Sequence, residues 1–241
     1  MNDFGYFLTV LLRGLVPTVE LFLLGAVMGT VISFLVGLSL LHRSVITRLL
    51  ARIYVEGWRG TSEVVQMFWV YFAVPVLIGF QLVPLWAGAL VLGLNTGAYG
   101  AEIVRGAVQS VDRAQYEACV ALNLTRAQRM TRIILPQAVP EMIPPFNNLY
   151  IAVLKGTALA SLINVTEMTY QANQVLVVSY PGQTLAIFMM MLVMYLVLSI
   201  LITAGMRVLE RKAARMLGKK GTRPSRSASA LRPVAGIGGP R

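Results

Sequence analysis

Between Val64 and Ala101 the chain runs for 38 residues without a charged side chain. As one helix this run would be about 57 Å long, against about 30 Å of hydrocarbon in a bilayer. It therefore reads as two membrane spans, with the turn at Gln81–Pro84. Three further stretches have the length and character of spans. Leu21–Leu41 has 21 uncharged residues, Met142–Thr166 carries only Lys155, and Thr184–Met206 has 23 uncharged residues. Leu21–Leu41 is too long for the apolar core of a signal peptide, and no small-x-small cleavage site follows it. Only 13% of the residues are charged, about half the share in soluble domains. The expected fold is all-α and polytopic, with about five transmembrane helices.

Lys and Arg orient the spans. The loop after the first span holds four of them, the loop around Glu117 holds five and the tail from Arg207 holds ten. The N-terminus has only Arg13, and the other connections have none. The positive-inside rule puts the N-terminus outside and the C-terminus in the cytoplasm. The expected organisation is a short periplasmic N-terminus over 1–14, a membrane domain over 15–215 and a disordered basic cytoplasmic tail over 216–241. Anionic lipid is the favoured partner of that tail, ahead of nucleic acid.

Several chemistries are excluded by residue count. One Cys gives no intramolecular disulfide and no Cys-rich metal cluster, and one His gives no His-based metal site. The Gly-x4-Gly-Lys-Ser/Thr nucleotide loop is absent. Lys155 is the one ionisable residue clearly inside a span, too few for a membrane enzyme.

The polar loop over 112–136 reads as two short helices. Asp112 and Gln115 have capping-box spacing, as do Thr125 and Gln128. The first helix covers Arg113–Leu122, and Asn123 stops it in the left-handed conformation. Pro136 is expected to end the second. Glu117-Ala118-Cys119, then Asn123, then Ile133, Leu135 and Pro136 resemble the EAA loop of ABC-importer permeases. Cys119 stands where that pattern has Ala and Asn123 where it has Gly. RGTSEVVQMFWVYFAVP at 59–75, Asn95–Tyr99 with Glu102 and Arg105, Lys155–Leu159 and Glu167–Thr169 are similar to segments of the histidine/glutamine/arginine group of polar amino-acid permeases. Asn123-Leu124 and Gly97–Glu102 look most like the ectoine/hydroxyectoine branch.

The resemblance implies a non-enzymatic permease subunit in a bacterial inner membrane, importing a polar amino acid or a compatible solute such as ectoine. It implies a separate cytoplasmic ATPase that binds ATP and Mg, a second permease subunit, identical or homologous, and a periplasmic or lipid-anchored solute-binding protein. No cofactor is expected in this chain. The Glu117 loop would dock on the ATPase. Arg126, Arg129 and Arg132, at i, i+3 and i+6, share a face suited to headgroups or to the ATPase. Gln66, Asn95 and Tyr99 suit either a polar path or hydrogen bonds between helices. Glu167 suits the outer part of a substrate cavity or an interfacial site facing headgroups. The alternative function is a stand-alone multispan channel or membrane protein without an ATPase.

Overall fold

The computed structural model describes residues 3–216, all helices and connecting turns. Apart from Met216, the expected basic tail lies outside the described residues. Eight helical segments are α1 (Asp3–Leu40), α2 (Val45–Arg59), α3 (Glu63–Ile78), α4 (Pro84–Gln109), α5 (Arg113–Ala121), α6 (Arg126–Ile163), α7 (168–177) and α8 (Thr184–Met216). Three of them, α1, α6 and α8, are long and apolar enough to cross a membrane, and the bent pair α2–α3 makes a fourth if it forms one span. That is fewer than the expected five. The shortfall is α4, 26 residues long but punctuated by five glycines, Asn95, Thr96 and Tyr99. It does not need an apolar surface, because much of it is sheathed by protein, with thirteen residues buried from Ala87 to Val108.

Small residues let α1 and α4 approach closely, the packing device of membrane helices. A Cβ on Gly97 would stand 2.5 Å from Ile32 Cγ2 and 2.8 Å from the Tyr54 hydroxyl. Polar staples fix the neighbours. Tyr54 on α2 donates to the Leu94 carbonyl on α4 at 2.6 Å, and Thr30 on α1 meets Tyr150 on α6 at 2.8 Å.

Three sequence expectations change. The N-terminal stretch 1–14 is not a short tail from Asp3 onward: α1 begins there and buries Phe7, Val10 and Leu11 against Ala172, Leu176, Ile187 and Met190. Arg13 and Glu20 interrupt the apolar sequence without interrupting the helix, because both are exposed. Second, the polar stretch after α1 contains an amphipathic helix. Within it, α2 exposes Ile46, Leu49, Leu50 and Ile53, a stripe at i, i+3, i+4 and i+7 suited to lying on a membrane surface.

Third, Pro136 does not end its helix. Residues Arg129–Ile134 form a π-helical stretch, and Leu135 N–H bonds back five residues to the Met130 carbonyl. The widened turn admits a proline ring that would clash with the i−4 carbonyl of a regular helix. The same device precedes Pro75, where Val74 N–H reaches the Trp69 carbonyl across the π stretch Trp69–Ala73. The turn between the two halves of the 38-residue run does fall near the expected place: Gly79, at φ +70°, closes α3, and α4 starts at Pro84.

Candidate functional site

Two places concentrate polar chemistry. The first is the loop around α5. Asp112 caps this helix by accepting from Ala114 N–H at 2.9 Å. Its partner Gln115 does not complete a capping box, but instead accepts from the Gln137 amide at 3.4 Å. Asn123 takes φ 53°, as expected for the stop. The second capping box forms fully: Gln128 N–H donates to Thr125 Oγ1, and Thr125 N–H donates to Gln128 Oε1.

The motif residues divide by face. Cys119 is buried, which explains a small residue there, whereas Glu117, Ala118 and Asn123 are exposed. Ile133 and Leu135 pack half-buried on a cluster of Val104, Val108, Ile134, Ala138, Met142 and Phe146. Pro136 is exposed. Tyr116 anchors the helix by donating to the Val108 carbonyl at 3.0 Å. Burial raises its hydroxyl pKa, and the nearby Arg129 guanidinium lowers it. Glu117 makes only an exposed ion pair with Arg113 at 3.2 Å. Val120 and Leu122 are 56% and 73% exposed, leaving α5 with an apolar rim facing outward. The shared face expected of the three arginines is only partly kept. Arg126 and Arg129 line one cavity, while Arg132 falls outside it, because the π stretch changes the residues per turn.

The second place is the elbow where α2 meets α3 at 102°. Asn95 donates its amide to Gln66 Oε1 at 3.2 Å, and Gln66 Nε2 donates to the Trp58 carbonyl at 2.8 Å and to Thr61 Oγ1 at 2.6 Å. Gln66 thus clamps the elbow onto α4. One turn past Asn95, half-exposed Tyr99 lies under the Arg59 guanidinium, 5.0 Å from its ring centroid. Glu63 stands at the start of α3, against α6. Its Oε1 lies 3.1 Å from where a Cβ on Gly156 would stand, so the glycine leaves the carboxylate room. Arg59 and Glu63 were missed as site residues because they read as part of a polar loop; their one signal was spacing, five and one residues before Val64, the first residue of the uncharged run. Lys155 is exposed on α6 beside Gly156.

Glu167 is not with this group, and it does not face an open cavity. It is fully buried and caps α7, accepting from Thr169 N–H at 2.7 Å and Tyr170 N–H at 2.8 Å. Tyr195 on α8 donates to it at 3.2 Å. The next N–H, of Met168, donates to Thr18 on α1 at 3.1 Å. Gly14, one turn before Thr18, permits this approach, because a Cβ there would lie 2.8 Å from the Glu167–Met168 backbone. Among the described residues no group of His, Cys, Asp and Glu is arranged to hold a metal.

Known proteins share this architecture. Residues 3–215 match the family described as binding-protein-dependent transport system inner membrane component. The chain is 40% identical over 223 residues to a probable amino-acid ABC transporter permease protein of Sinorhizobium fredii, covering 90% of this chain and 93% of that one. It is 34% identical to the glutamine transport system permease protein of Escherichia coli K12, covering 84% and 92%. It is 30% identical to an L-cystine transport system permease protein of Bacillus subtilis, covering 88% and 90%. Among solved structures, an amino acid ABC transporter with histidines superposes with a TM-score of 0.79 at 28% identity, over 87% of this chain and 97% of that one. The methionine ABC transporter in an inward-facing conformation shares the fold, with a TM-score of 0.72 at 19% identity over 85% and 96%. The chain belongs to the binding-protein-dependent transport system inner membrane components, the permease subunits of ABC importers, in which a separate subunit hydrolyses ATP.

Proposed function

We propose that the chain imports a polar amino acid, with α5 as the mechanical contact to a cytoplasmic ATPase that binds ATP and Mg. The outward apolar rim of α5, Val120 and Leu122 beside the exposed Glu117, carries this reading. Exposed apolar side chains on a polar loop are the mark of a docking surface. A stand-alone channel would have no use for one there, which favours the importer over that alternative. A second permease subunit, identical or homologous, completes the path, and a periplasmic or lipid-anchored binding protein delivers the solute. The reading puts the N-terminus outside and the C-terminus in the cytoplasm, which the distribution of Lys and Arg favours.

Arg59, Glu63, Asn95 and Tyr99 form the solute path, with Gln66 holding the elbow that presents them. A cation and a carboxylate at one elbow complement the two charges of a zwitterion. Names of relatives support the amino-acid class: one is a glutamine permease and another an L-cystine permease. The finer ectoine or hydroxyectoine assignment rests on Asn123-Leu124 and Gly97–Glu102 alone, and the same assay tests it. Glu117→Lys reverses the charge on the docking face. The variant should insert normally, yet fail to co-purify with the ATPase and lose uptake of labelled glutamine, cystine or ectoine. Unchanged co-purification and uptake would remove α5 as the coupling element.

A further inference from the structure

Where α1 ends, a cavity of about 870 Å³ opens between that end, α5 and the first turns of α6. One side of it is cationic: Arg43, Arg126 and Arg129 line it, with His42 and the Tyr116 ring beside them. No Asp or Glu is among its lining residues. The ion pairs found among the described residues are Glu102–Arg105 and Arg113–Glu117, so none engages these three arginines. Arg129 Nε is buried without a hydrogen-bond partner among the described residues, and Nη2 of the same side chain reaches only the Leu124 carbonyl, at 3.5 Å. A buried donor on a guanidinium is costly to leave unmade. An anion in the cavity would complete the donor set.

The other side is apolar, built from Leu38, Leu41, Met130 and Ile134. It continues beyond the cavity along α1, where Leu35, Val31 and Val27 are exposed at helical spacing from Leu38. A free anion would use the arginines and leave this wall bare. A molecule with an anionic head and a long apolar chain uses both.

We propose that the cavity holds one anionic phospholipid, its phosphate among Arg43, Arg126 and Arg129 and an acyl chain along Leu38, Leu35 and Val31. Guanidinium groups suit phosphate oxygens because their N–H donors form a planar fork. The site lies at the end of a helix long and apolar enough to cross a membrane, the depth at which headgroups lie. The bound head also touches the transport machinery. Arg129 contacts the Leu124 carbonyl next to the left-handed Asn123, and Tyr116 belongs to α5 itself. The lipid thus braces α5 against α1.

The test uses the full chain, purified in mild detergent, stripped of lipid and titrated with single lipids by native mass spectrometry. The first phosphatidylglycerol should bind at least tenfold tighter than phosphatidylcholine. Arg126→Gln, at an exposed position that leaves folding intact, should weaken that first event about fivefold, and Arg126→Gln with Arg129→Gln should erase the preference. Arg132→Gln, one turn away and outside the cavity, should bind as the wild type does. Equal binding of the two lipids, or equal loss in the Arg132 and Arg126 variants, would overturn the proposal as diffuse surface charge. Displacement of the first phosphatidylglycerol by millimolar inorganic phosphate would overturn it in favour of a soluble anion.

Discussion

Replacing Glu167 with Gln tests whether this carboxylate holds the fold or handles the solute. Both of its oxygens act only as acceptors, toward two backbone N–H groups and one phenol. Glutamine keeps the shape but offers one acceptor oxygen and an NH2 that can only donate. Whichever way the amide turns, one backbone N–H of Thr169 or Tyr170 faces another donor in a fully buried site. A hydrogen bond to a charged group contributes about 1.5–3 kcal/mol, and a buried group left unsatisfied costs about 1–3 kcal/mol. These overlap, so the net loss is about 2–4 kcal/mol. Thermal and denaturant unfolding in mild detergent should show Glu167→Gln clearly destabilised. Glu167→Asp, a good N-cap, should lose less, and Tyr195→Phe about 1 kcal/mol. Uptake by the protein that remains folded should keep its half-saturating substrate concentration. Unfolding identical to the wild type, with a raised half-saturating concentration, would refute this reasoning and return Glu167 to the solute path.

The other predictions follow from equally local geometry. Asn123→Gly should be neutral or slightly stabilising at φ 53°, whereas Asn123→Val should cost about 1–2 kcal/mol and lower the melting temperature. Gly97→Leu should overpack the α1–α4 seam by at least about 1–3 kcal/mol, while Gly106→Ala, with open space around its Cβ, should gain up to about 1 kcal/mol in the same melt. A topology reporter fused after Arg215 should be active only in the cytoplasm, and one near Ser179 only outside; the opposite pattern would invert the orientation.

Much of this was legible because the bilayer leaves few options. Uncharged runs gave the helices, and Gln81–Pro84 gave the break in the longest run to within a few residues of Gly79, where α3 closes. Asn123, Thr125 and Gln128 gave the loop, because caps are chosen by local backbone chemistry. What was hidden depends on contacts. Pro136 reads as a stop unless the π stretch before it is known. The hydropathy of α4 says little about a helix clothed by other helices. Glu167 reads as an acid of the substrate cavity or of the interface until Thr18 and Tyr195, about 150 and 28 positions away, are seen around it. Arg59 and Glu63 look like loop charges until the elbow turns them toward Tyr99 and Gly156.

The central helix joins the two candidate places. Asn95 and Tyr99 lie on α4, and so does Val108, whose carbonyl receives the Tyr116 hydroxyl of α5. From Asn95 to Val108 is thirteen residues, about 20 Å of helix. Over that length α4 has no proline and no π stretch, so it transmits displacement as a rod. Departures from regular helix lie elsewhere, among them the left-handed Gly79 before α4, the π stretches at 69–73, 129–134 and 171–177, and the 3-10 stretch Thr157–Ile163 in α6. Such interruptions are where a helical bundle can bend. If α5 docks as proposed, a push on it would reach Asn95 through α4, while α3 and α6 carry the interruptions that would let the elbow open around it. On that proposal the regular helix stands between the docking helix and the polar cluster, and the interrupted ones on either side.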